Sequence, residues 1–254
     1  MHHNPENSKS KHRKTITKFL ESLENYHFIN NLVCQRQTNE VEKLYADYSS
    51  KFFNAKSEDE FTAHLYNLYK KLQSQLAKEG EFTDNFIEIS YGSKNGEIKY
   101  IYDRLNNIDE GGEKRPSADW KQTAIFEPHI IGKSSYTIEH WYPQQAKNEK
   151  KSDKNLKVEK VHNIGNLIVL ATTTNSKLGN KNPADKAKFL EDTAINTLPY
   201  NKKFVNEYSS KFENWNDEVI LERATKMARE AYVSTWRFAP PMLEPNDKSL
   251  LIDK

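Results

Sequence analysis

Cysteine is almost missing from this chain: Cys34 is the only one among 254 residues. A single thiol supports neither an internal disulfide framework nor a cysteine-based zinc site, and a reducing cytoplasm suits such a chain. Long apolar runs are missing too. No stretch approaches the about 18–20 consecutive apolar residues of a membrane span, and the opening MHHNPENSKSKH has no apolar core of the signal-peptide kind. Only 36% of the residues are hydrophobic while 29% are charged. That is polar even for a soluble protein, yet the length suffices for a real core in one domain or two modest ones.

Arginine is absent from Trp141 to Leu190, although that stretch holds ten lysines and only four acids. The whole chain is close to neutral at +2, so this local excess of six positive charges is balanced elsewhere. A concentrated basic stretch suits a polyanion such as nucleic acid; on charge alone it equally suits a solvated loop.

Residues 1–12 are polar and read as a disordered tail. Beyond them Ile16, Phe19, Leu20 and Leu23 recur at helical spacing. Asn39 with Glu42, and Ser57 with Glu60, have the form of capping boxes and predict two more helix starts. Ile98, Ile101, Tyr102 and Leu105 extend the pattern, so residues 13–115 read as a helical region. The Gly-Gly stretch 107–117 reads as a linker or long loop. After it the period changes: 136–142 alternate and 167–171 form a short apolar run, both strand-like. The polar residues between His140 and Asn166 then form a long loop. A helix is expected to open near Pro183, and another over 216–236 closed by Trp236. Residues 239–254 read as a C-terminal tail.

The stretch YTIEHWYPQ ends a strand on Glu139 and His140. Histidine titrates near neutrality and serves as a general base, while a carboxylate beside it suits a hard divalent cation. Alone, the pair is more simply a strand-end histidine. Downstream, Asn166 precedes the second apolar run and Asn175 opens a helix. Strand, loop, strand and helix, with these residues at these places, form the layout of a ββα-metal hairpin. In it Asn175 offers an amide oxygen opposite Glu139, and Asn166 bridges the strands and orients the His140 ring. The expected class is therefore α+β, a mainly helical body with this hairpin embedded in a core spanning 116–238.

The pattern E-H-x-x-P, then G-N-L, then N-S-K-x-x-N resembles the HNH nuclease superfamily. More narrowly it resembles the C-terminal HNH domain of GmrSD-type modification-dependent restriction enzymes and related bacterial defence proteins. The likeness extends to Asn31–Asn39, to Lys99–Leu105, and to Trp215, Ile220, Arg223 and Trp236, so it runs from about Ile16 to Trp236. It implies a cytoplasmic endonuclease that nicks DNA with Mg²⁺ or Mn²⁺. In that reading His140 is the general base, Asn166 its orienting residue, and Glu139 and Asn175 the metal ligands. Lys177, Asn180 and Lys181 meet the nucleic acid.

Some features depart from the family. Its third histidine is an asparagine here, Trp141 stands where a smaller aliphatic is usual, and the zinc-binding cysteines that brace some HNH hairpins are absent. No stretch of the chain matches the family's N-terminal nucleotide-hydrolysing domain, so nucleotide dependence does not carry across. Two other classes stay open: a non-cleaving adaptor that docks a separate NTPase subunit, and a toxin-like nuclease acting on RNA or DNA. His162 reads as a loop histidine, His27 and His64 as packing or surface residues. Arg36, Arg104 and Arg223 read as structural, and Trp215 and Trp236 as core aromatics.

Overall fold

A computed structural model describes residues 5–92, 94–106, 136–144, 158–192 and 198–240. The chain divides into two compact units, Met1–Phe82 with Tyr232–Lys254, and Thr83–Ala231. The division at Phe82 differs from one placed near residue 115; the 107–117 stretch lies outside the described residues, as do the Lys/Asn-rich residues 145–157 and the C-terminal tail from 241.

In the first unit α1 (Pro5–His27) passes into a π-helical turn, Phe28–Val33, followed by α2 (Asn39–Asn54) and α3 (Glu58–Ser74). α1 begins inside the stretch expected to be a tail; Pro5, whose fixed φ suits a first helical position, opens it. The apolar stripes of the three helices close on one another through Phe19, Tyr26, Val41, Tyr48, Leu65, Leu68 and Leu72. Ser57 caps α3 as its sequence predicts, accepting from the Glu60 amide at 3.1 Å. α2 starts on Asn39 rather than being capped by it: Thr38 holds the cap position without a side-chain bond to a helix amide, and its hydroxyl donates to the Glu42 carboxylate at 2.7 Å. His27 spends its ring on Asn31 and Tyr45, and Arg36 forks onto Glu81, both structural roles. Trp236 is fully buried and stacks on Phe28 at 3.8 Å.

A further helix, α4 (Glu79–Phe86), contains the boundary between the units. The second unit continues with α5 (Asn95–Asn106), β1 (Tyr136–His140), β2 (Leu167–Ala171), α6 (Thr172–Leu178), α7 (Pro183–Asp192), α8 (Pro199–Tyr208) and α9 (Asp217–Glu230). The strands pair antiparallel, from Tyr136 opposite Ala171 to His140 opposite Leu167. With the helices this makes a mainly helical α+β fold. β2 coincides with its apolar run because it is buried on both faces, whereas β1 is partly exposed from Tyr136 to Glu139 and buried only at His140.

The hairpin is held from behind by a core that includes Trp141, Ile168, Leu170, Leu178, Leu190, Phe204 and Trp215. Trp141 is fully buried, edge-on to Phe204 at 5.0 Å, which accounts for a large residue here: it fills the space between β1 and α8. Gly165 lets α9 approach, since a Cβ there would fall on the Ile220 carbonyl oxygen. The buried Arg223 donates from Nη1 to the carbonyls of Gly165 and Leu167, both at 2.7 Å, and its guanidinium lies 3.9 Å from the Phe204 ring centre. The Tyr102 hydroxyl also donates to Leu167 O, at 2.6 Å. These contacts fix the turn entering β2 and so set where the facing end of β1 lies.

Candidate active site at the end of the first strand

β1 delivers Glu139 and His140 in succession. Side chains alternate along a strand, so Thr137 and Glu139 share one face while Ile138 and His140 share the other. The Trp141 amide donates to Asn166 O at 2.7 Å, which carries the pairing one residue past His140. Beyond it Tyr142 to Gln144 turn away from the sheet.

On one side of that strand end is a cluster of rings. His140 is 6% exposed, and its Nε2 lies 3.1 Å from Nδ1 of His162. Tyr91 meets the His140 ring edge-on at 4.9 Å. The Gln144 side-chain nitrogen is 3.1 Å from each ring nitrogen of His140. A short antiparallel bridge, Ser90 to Asn163, brings Tyr91 and His162 here: the Tyr91 amide donates to His162 O at 2.8 Å, and that of Ile164 to Ile89 O at 2.9 Å. Burial, then the neighbouring His162 and Lys186, push the His140 pKa down to about 4, so the ring is uncharged at neutral pH.

On the other side is an ion pair. Lys186 is completely buried, and its ammonium donates to Glu139 Oε1 at 2.6 Å and to the His140 carbonyl at 2.5 Å. α7 aims it there. Asn182 caps the helix, accepting from the Asp185 amide at 2.8 Å, while Ala187 and Leu190 anchor its inner face in the core. Burial lowers the Lys186 pKa, and Glu139 partly restores it. From α6, Asn175 donates through Nδ2 to Thr137 Oγ1 at 2.9 Å. This puts its amide over the β1 face that carries Glu139, two residues along.

The remaining expected site residues fall differently. Asn166 does bridge the strands, but its amide does not reach the His140 ring. Its Oδ1 accepts from the Tyr142 amide at 2.8 Å and from Trp215 Nε1 at 3.0 Å, and its Nδ2 donates to Tyr142 O and Val161 O. With all four capacities used, it clasps the ends of the two strands. His162 and Gln144, not Asn166, contact the ring. Lys177 and Asn180 are exposed beside α6. Lys181 is also exposed, but its ammonium folds back onto the carbonyls of Lys177 and Leu178 at the helix end.

The donor set decides which metal these residues fit. Glu139 supplies a carboxylate of which one oxygen meets Lys186, and Asn175 supplies an amide oxygen that makes no hydrogen bond with a described residue. Both are hard oxygen donors on one strand face. No group of three His, Cys, Asp or Glu suited to an ion occurs among the described residues. Such a set fits a cation that keeps several waters and completes its shell with phosphate oxygens, as Mg²⁺ does, and it does not fit an all-protein cage.

The sequence alone points to none of Lys186, His162, Tyr91 and Gln144 as residues of this site. Lys186 is one of the ten lysines of the basic stretch, His162 reads as a loop histidine, and Tyr91 and Gln144 belong to no motif. Lys186 did leave a trace: Pro183, Lys186, Ala187 and Leu190, all buried, fall at i, i+3, i+4 and i+7, so a lysine occupies the apolar stripe of its own helix.

Among known proteins, the family model for GmrSD restriction endonucleases, C-terminal domain, matches residues 76–230, which takes in nearly all of the second unit and the whole of this site. No curated protein matches the chain. No solved structure matches it either.

Proposed function

Because the chain belongs to the family of GmrSD restriction endonuclease C-terminal domains, a nuclease class, we propose that it is an HNH-type endonuclease that hydrolyses DNA phosphodiesters with a divalent metal. One observation carries the reading. An uncharged, buried His140 and a carboxylate, Glu139, end the same strand, and Asn175 reaches over the carboxylate's face.

A general base must hold a lone pair at working pH, and His140 does so because burial disfavours its charged form. The Gln144 amide lies where a hydrogen-bond donor meets that lone pair. Gln144 is exposed and free to yield this place to water. His140 then takes the proton as that water attacks phosphorus. Glu139 and Asn175 would hold Mg²⁺ or Mn²⁺, which when bound neutralises the charge developing on the phosphate and the leaving 3′ oxygen. Lys177 and Asn180, both exposed, would meet the DNA backbone and supply affinity without sequence information. The products carry 5′-phosphate and 3′-hydroxyl ends. One site cuts one strand, so a single copy nicks.

The test is supercoiled plasmid incubated with Mg²⁺ or Mn²⁺, comparing the wild type with His140→Ala. Nicking by the wild type alone is expected. Equal nicking by both proteins overturns the mechanism, and salt-sensitive binding with no nicking by either points to an adaptor.

A further inference from the structure

Lys186 is at the centre of the site, yet the reaction as read above gives it no task. Its ammonium is fully buried and bonded to both Glu139 Oε1 and the His140 carbonyl. The helix that carries it is anchored one residue later by Ala187 and four later by Leu190, so the ammonium does not leave without opening the core. A divalent cation at Glu139 therefore shares its only carboxylate among the described residues with a charge already in place. Asn175, the other donor, is neutral and offsets none of that repulsion.

We propose that Lys186 is a resident cation that fixes the rotamer of Glu139 and keeps the site's affinity for divalent metal low until a DNA phosphate arrives, so that metal loading is coupled to substrate. Without DNA, the one negative charge among the described residues of the site faces one ammonium and a dication. A phosphodiester adds both the missing negative charge and oxygen ligands for the ion. Lys186 is thus a positioning residue that acts through Glu139. The inference rests on Glu139 being a metal ligand.

The test is titration of the full chain with Mn²⁺ by calorimetry, with and without a short duplex made uncleavable by phosphorothioate substitution. The wild type is expected to bind weakly alone and at least tenfold more tightly with the duplex. Lys186→Met and Lys186→Gln, checked for folding by circular dichroism, should each bind at least tenfold more tightly than wild type without DNA and gain little from it. Lys186→Arg should stay near wild type. Neutral variants that bind Mn²⁺ no more tightly than wild type overturn the proposal and leave the metal-ligand reading intact. Glu139→Gln retaining wild-type affinity overturns that reading, and the proposal with it. If neither neutral variant folds, the wild type decides alone: an affinity that the duplex does not change overturns the proposal.

Discussion

Nε2 of His140 lies 3.1 Å from Nδ1 of His162, and the two rings meet edge-on at 87°. One ring donates and the other accepts, so each constrains the tautomer of the other. His162 is exposed where His140 is buried, and its contact is what remains to orient the base once Gln144 gives way to water. His162→Ala should therefore cut the nicking rate by roughly tenfold to a hundredfold with little change in KM. His162→Asn should recover part of the loss. Steady-state nicking assays check this, and wild-type kcat in the alanine variant removes His162 from the site.

The depressed pKa of His140 has a consequence for folding. Its first cause is burial, followed by His162 and Lys186, and the folded value is about 4 against an ordinary 6.5. As pH falls below 6.5 the unfolded chain takes up a proton that the folded chain refuses until about 4. The stabilisation is thus fully present above 6.5 and is lost on the way down to 4, on the order of 3 kcal/mol in all. Urea unfolding of metal-free protein, followed by the fluorescence of the buried Trp141 and Trp215, should show this slope. His140→Asn should flatten it.

Asn166 makes four side-chain hydrogen bonds while completely buried. Asn166→Ala leaves the Tyr142 amide, the carbonyls of Tyr142 and Val161, and Trp215 Nε1 without that partner. A loss of about 3 kcal/mol or more is expected, since buried orphaned groups cost about 1–3 kcal/mol each and partly find water. The same unfolding measurement checks it, and a loss under 1 kcal/mol refutes the clasp.

Cys34 is partly exposed but should react slowly. Burial first, and Glu81 second, push its thiol up to about 11. At pH 8 the thiolate is then about one part in a thousand, against roughly a quarter for an ordinary thiol. Iodoacetamide labelling followed by mass spectrometry should run at least a hundredfold slower than for free cysteine.

Local features of this fold were legible where local physics decides them. The run LIVLA became β2 as a unit because both its faces are buried, Ser57 capped its helix through its own hydroxyl, and Pro183 opened α7. Order in the sequence puts Asn175 on the helix that follows β2, and its amide bonds Thr137, on the β1 face that also carries Glu139. The misses are long-range. The partners of the Asn166 amide include Trp215, 49 residues away, and the place of His162 depends on Ser90, 72 residues before it. No local periodicity carries either fact. Lys186 is the intermediate case: its helical stripe marked it as inward-facing, while its residue type argued for solvent.

The clasp at Asn166 also says how this protein can change. Tyr142 and Val161 are both tied to that one amide, so the ends of the segment between them meet at a single fixed knot. Gln144 and Val158 have contacts of their own, at His140 and in the core, but residues 145–157 can change in number or in kind while the knot holds the strand bearing Glu139 and His140 in register with β2. That lysine-rich stretch can thus be rewritten without disturbing the base. Its composition is free to drift while the geometry around His140 stays still.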